Sequence, residues 1–250
     1  MVNISLRSLE YNQLGPISFL GRVGISSDGN IYDEDDIGAA PFSIAILKAA
    51  NATLVHHDYN NNIGCSNWKA DEMIISVEGA ANRFFGNTSM IFNDLVNLTG
   101  AVDNIALQIN ISTTTDRFYL CAGGPMETVW RGIMASDPAK RQYCTVISHS
   151  TWNEQHTSCE CSHTWTDVKN TGVVTVDIRD QNLRLNTKIG WRWMKTDPNP
   201  DINWLYTRMD FKFGDVSDCG MAYYVVSGLE DEYGSPAKLQ NLFSQLNSGE

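Results

Sequence analysis

Short apolar runs alternate with Ala- and Leu-rich stretches along this chain, and that alternation limits the fold more than any single residue does. Arg22-Val-Gly-Ile-Ser-Ser, Thr53-Leu-Val-His-His, Arg117-Phe-Tyr-Leu-Cys-Ala and Tyr143-Cys-Thr-Val-Ile-Ser read as strands. Segments 37–50, 71–85, 96–108, 126–134 and 220–226 read as helices. Repeated strand–loop–helix units predict an α/β fold: an open, mostly parallel sheet with helices on both faces. At 250 residues, one domain over 1–250 is the simplest count. Segment 196–203, with two prolines, reads as a surface loop inside it. Ligands of such sheets bind beyond the carboxyl ends of the strands. The unusual loops 28–36, 58–65, 123–125 and 149–156 all follow strands, so they are expected to converge there.

Charge narrows the partners. A net charge of −11 disfavours nucleic acid and anionic membrane, because a like-charged protein gains nothing from either contact. No apolar run approaches the roughly 20 residues of a membrane span. The first residues lack a basic segment followed by an apolar block, so no signal peptide is expected. The six cysteines show no framework spacing, and Cys121 and Cys144 sit in strand-like runs as small core residues. The expectation is a reducing, cytoplasmic compartment, or secretion if a leader has been removed.

Loop 28–36 is the chemical singularity. It holds Asp28, Asp33, Glu34, Asp35 and Asp36 within nine positions. Asp35 and Asp36 open a helix, where carboxylates cap free amides and suit the macrodipole without any ligand. That accounts for neither Asp28 nor Asp33, and crowded carboxylates raise one another's pKa unless a cation intervenes. Calcium takes six to eight oxygen ligands and suits such a set.

The stretch from Asp28 through Asp35-Asp36-Ile-Gly-Ala-Ala-Pro-Phe-Ser-Ile-Ala-Ile-Leu resembles the first motif of the nucleoside hydrolase-like superfamily. Leu120-Cys-Ala-Gly-Gly-Pro-Met-Glu-Thr-Val resembles its strand and glycine turn, and Gly214-Asp-Val-Ser-Asp-Cys-Gly-Met-Ala-Tyr-Tyr its late Asp before a helix. The resemblance spans about residues 20 to 230 and rests on these three motifs in order. It implies a nucleoside hydrolase-like fold and a Ca2+ cage. Its ligands would be Asp28 or Asp33, the pair Asp35 and Asp36, the carbonyl of Ala122, and Asp215 or Asp218. It further implies metal-dependent hydrolysis of an N-glycosidic bond at a ribose-like sugar, with Asp28 as base toward a metal-bound water. Leaving-group protonation would fall to His149 or His156. A small nucleoside or sugar would be held by Asn61, Asn62, Asn153 and Glu154, with Trp152 stacking on it. Homo-oligomers are common in the family. The chain departs by having six residues, 29–34, between Asp28 and the Asp pair, where the family usually has three.

Two alternatives share these residues: a glycoside hydrolase acting on a carbohydrate linkage, and a non-catalytic calcium-dependent carbohydrate-binding protein. Catalysis needs an open coordination position, whereas a structural site is closed by protein ligands. Zinc at His149, His156, Cys159, Cys161 and His163 is disfavoured, because Cys-x-Cys lacks the usual gap and no second Cys pair follows.

Overall fold

The computed structural model describes residues 21–31, 34–209, 214–229 and 231–247. Strands β1 (Arg22–Ser26), β2 (Thr53–Tyr59), β3 (Ile91–Asn93), β4 (Phe118–Ala122), β5 (Cys144–Ser148) and β6 (Val174–Asp177) form one sheet. Their order is β3-β2-β1-β4-β5-β6, and every pairing is parallel. The chain winds outward from β1 to β3 and then returns to place β4 on the other side of β1. The crevice between the ends of β1 and β4 is therefore the topological switch point, where open α/β sheets bind their ligands.

Both faces of the sheet are covered, as the near-continuous apolar strands require. Val23, Ile25, Tyr119, Cys121 and Ile147 point into one core. Phe118, Leu120, Ala122, Cys144 and Val146 point into the other, following the two-residue strand period. The first core is roofed by α1 (Asp36–Ala49), against which α2 (Ala70–Phe85) packs. The second lies under α3 (Asp94–Asn110) and α4 (Glu127–Ala135). Short helices α5 (Thr151–Gln155), α6 (Trp165–Lys169) and α7 (Asn182–Leu185) follow, then α8 (Pro200–Arg208), α9 (Cys219–Val226) and α10 (Pro236–Phe243).

Helix α1 is apolar on all sides, and residues 38–47 are buried throughout. The C-terminal third explains this: α8, α9 and α10 all pack on α1. Phe42 meets the Trp191 ring edge-on at 5.2 Å and the Phe243 ring at 6.0 Å. Pro41 within α1 has no N–H to give the Ile37 carbonyl. The Ser76 hydroxyl of α2 donates to that carbonyl at 2.7 Å, which removes the penalty of an unsatisfied buried acceptor.

The two edge strands, β3 and β6, are absent from the sequence reading because they are short and incompletely buried. Segment 196–203 is corrected. Asn199 accepts from the Asp201 amide at 2.8 Å and starts α8, with Pro200 at the first helical position, where its missing N–H costs nothing. Loop 149–163 likewise contains α5. Among the described residues no helix is long and apolar enough to cross a membrane.

Candidate functional site at the sheet switch point

Asp28 lies two residues beyond the end of β1 and is fully buried. Its backbone N–H donates to Asp36 Oδ2 at 3.2 Å, which ties the strand end to the first residue of α1. Its own Oδ1 accepts from the Gly29 amide. Asn62 faces Asp28, yet neither Asn62 Nδ2 nor Asp28 Oδ2 closes a hydrogen bond. Burial, with a smaller contribution from the charge of Asp218, raises the Asp28 pKa to about 6.

The β4 turn closes over this carboxyl group. Gly124 has a φ of +75°, and a β-carbon there would stand 2.6 Å from Asp28 Cβ and 2.8 Å from Asn61 Oδ1. A β-carbon on Gly123 would collide with Asp218 Oδ2. Only glycines let the backbone approach three polar side chains this closely.

Asp218 immediately precedes α9 and is held from the β5 side. His149 Nε2 lies 2.6 Å from Asp218 Oδ1. The Gln181 backbone amide donates to His149 Nδ1 at 3.4 Å, which leaves Nε2 to donate to the carboxylate. Asn153 joins the pieces: its Oδ1 accepts from the Gly124 amide at 3.0 Å, and its Nδ2 donates to Asp218 Oδ1 at 3.1 Å and to the His149 carbonyl at 3.2 Å. This turn requires Ser150 at φ 70° and ψ 139°, a conformation L residues rarely adopt, and such strain concentrates at functional sites.

Asn61 donates its amide hydrogens to Ser26 Oγ at 3.0 Å and to the Gly123 carbonyl at 2.9 Å. Its Oδ1 is buried with no partner. The structure thus gathers Asp28, Asp36, Asp218, Asn61, Asn62, His149 and Asn153 at one point.

The other expected site residues stand differently. Asp35 occupies the position before α1 but makes no capping hydrogen bond, and its buried Oδ1 has no partner. The expected cap is therefore not made. Asp215 is used locally: its carboxylate accepts from the Ser217 amide at 2.9 Å, and it bridges in backbone to Asn186. The Ala122 carbonyl accepts from Ser148 Oγ at 3.3 Å. His156 stacks on Trp152 at 4.1 Å and meets Ser158 Oγ, which in turn donates to Asn62 Oδ1. Glu154 is partly buried, and burial followed by the charge of Asp177 raises its pKa. Asp33 lies outside the described residues.

Cys65, in the loop after β2, is disulfide-bonded to Cys159, in the loop after α5. Cys161 Sγ accepts from the Ile63 amide and donates to the Asn61 carbonyl. With Cys159 in the disulfide and His163 bound to Glu127 at 2.8 Å, the residues weighed for zinc are engaged separately.

The donors fit a hard cation in kind. Asp28, Asp36 and Asp218 are all oxygen donors, and Asp28 Oδ2 and Asn61 Oδ1 are buried acceptors lacking any donor. Among the described residues, no three His, Cys, Asp or Glu side chains are grouped so that they could hold a metal ion.

Sequence reasoning missed Ser26, Asp58, His56 and Gln181. The two-residue period of His56 and Asp58 along β2 was the available signal, since it sets both on one face of a buried strand. No known protein-family profile matches the chain. Over 231 residues the chain is 28% identical to the uncharacterized protein P22 of Formosa agariphila, a match covering 83% of this chain and 84% of that protein.

Proposed function

We propose that the protein is a calcium-dependent glycosidase that hydrolyses an N-glycosidic bond at a ribose-like sugar, in the manner of the nucleoside hydrolase-like superfamily. The observation that carries this reading is Asp28: a buried carboxyl at the switch point with an unpartnered oxygen, neighbouring Asp36 and Asp218. Calcium, held by Asp28, Asp36, Asp218 and the Ala122 carbonyl, would supply charge to orient sugar hydroxyls and acidify a water. Asp28 is the base that takes the proton of the attacking water. The developing oxocarbenium character at the sugar carbon is stabilised by the surrounding carboxylates. Asn61 Oδ1 accepts from a sugar hydroxyl.

His149 has both ring nitrogens engaged and so orients Asp218. Protonation of the leaving group falls to His156 or to water. Trp152, 37% exposed and stacked on His156, offers a flat face to a base or a second sugar. That face serves the carbohydrate-linkage alternative equally well.

The test is hydrolysis of p-nitrophenyl riboside and inosine, with calcium and with chelator, by wild type, Asp28→Ala and Asp36→Ala. Chelator-sensitive turnover by the wild type alone supports the reading. Turnover unaffected by chelator or by Asp28→Ala contradicts it, and so does a calcium-loaded wild type inert on a broad nucleoside and glycoside panel.

A further inference from the structure

We propose that Asp58, acting through Ser26, is a positioning residue that locks the side-chain amide of Asn61 with its oxygen facing the ligand. The inference rests on the glycosidase reading only for the identity of that ligand, a sugar hydroxyl.

The argument is one of hydrogen-bond parity. Ser26 ends β1 and Asp58 stands beside it in register on β2. Ser26 Oγ lies 2.6 Å from Asp58 Oδ1, and the carboxylate is an acceptor, so the single hydroxyl hydrogen is spent there. Ser26 Oγ can then only accept from Asn61. The second neighbour of that same Asn61 atom is the Gly123 carbonyl, another pure acceptor. Both partners demand N–H donors, so the amide nitrogen faces them and Oδ1 must face the opposite way. There it is buried, unpartnered, and 2.8 Å from where a β-carbon on Gly124 would lie, beside Asp28. A lone buried acceptor in that place is made for a hydroxyl donor.

Asp58 is itself held in place from behind. His56 Nε2 lies 2.8 Å from Asp58 Oδ2, and His56 Nδ1 is 3.0 Å from Asn104 Oδ1. The His56 ring stacks on Phe92 at 5.3 Å. Ser26, His56, Asp58 and Asn61 are all buried, out of contact with bulk solvent. The chain Asn104–His56–Asp58–Ser26–Asn61 thus runs from α3 through the sheet to the site.

The experiment follows the Asn61 side-chain amide by nitrogen-15 NMR, its resonances identified by their loss in Asn61→Asp. Hydrogen exchange of that pair is measured in wild type, Asp58→Asn, Ser26→Ala and Ser26→Thr, each checked for an unchanged fold by circular dichroism. D-ribose is then titrated into each in the presence of calcium. We expect protected amide hydrogens in wild type and Ser26→Thr, and exchange about tenfold faster or more in Ser26→Ala and Asp58→Asn. Ribose affinity should fall in parallel by about tenfold in those two and recover in Ser26→Thr. An Asn61 amide that exchanges equally in wild type and Ser26→Ala overturns the positioning, whether or not a sugar binds. A protected, Ser26-dependent amide in a protein that binds no ribose leaves the positioning standing and counts against the glycosidase reading instead.

Discussion

Gly124 and Asp28 approach so closely that a β-carbon on the glycine would sit 2.6 Å from that of the aspartate. The β4 turn is therefore built around the carboxyl group, and Gly124→Ala should damage the site first. Its φ of +75° adds backbone strain of about 1 kcal/mol to the clash. The expected result is a loss of about 1–3 kcal/mol in urea unfolding, with calcium binding and turnover abolished. An unaltered calcium isotherm in Gly124→Ala would show that the turn does not shape the site.

His149 is read as a ring that orients Asp218. His149→Ala removes that donor and leaves Asp218 with Asn153 alone on this side. Turnover should fall by about 10²-fold with little change in the amplitude of the pH profile near neutrality. Loss of the alkaline limb of the profile would instead identify His149 as a proton donor to the leaving group.

The pH dependence has a defined sign. Burial raises Asp28 to about 6, so in chelator its protonated form is favoured in the folded state. Its contribution to stability is full below the unfolded pKa near 4 and is lost as pH rises through about 6. The size is about 3 kcal/mol. Stability of wild type relative to Asp28→Asn should therefore decline between pH 4 and 7 when calcium is absent. With calcium, the same titration reverses in effect: the ion competes with the proton, and its stabilisation of the fold should grow from pH 5 to pH 7. Thermal melts across that range check both slopes.

Cys65–Cys159 closes a span of 94 residues and joins the loops that carry Asn61, Asn62 and His156. Cys65→Ser should cost about 3–5 kcal/mol in stability. Hydrogen exchange should rise in segments 60–66 and 156–163 before anywhere else in the molecule. Uniform loosening of the whole chain would mean that the bond is global rather than local in effect.

Much of the architecture is legible in the sequence for a simple reason. The central strands are continuous apolar runs and the helices between them are strongly patterned, so period alone finds them. The edge strand Ile91–Asn93 has only three residues, each partly exposed, and carries no such signal. Helix Pro200–Arg208 was hidden by its prolines, one of which starts it. In the site, Asp28, Asp36 and Asp218 stand out because acids at strand and helix ends are chemically unusual. Ser26 and Asp58 do not, because their importance lies in meeting each other across two strands 32 positions apart. The pairing of Cys65 with Cys159 is equally non-local, and no spacing rule reaches it.

The central claim is a calcium site centred on Asp28, and isothermal titration of calcium into chelator-stripped protein at pH 7 tests it most directly. The account predicts about one ion per chain for wild type, with binding lost in Asp28→Ala and in Asp218→Ala while both variants stay folded. A folded wild-type protein that takes up no calcium at millimolar concentration, or an Asp28→Ala variant that binds it as wild type does, would contradict the account.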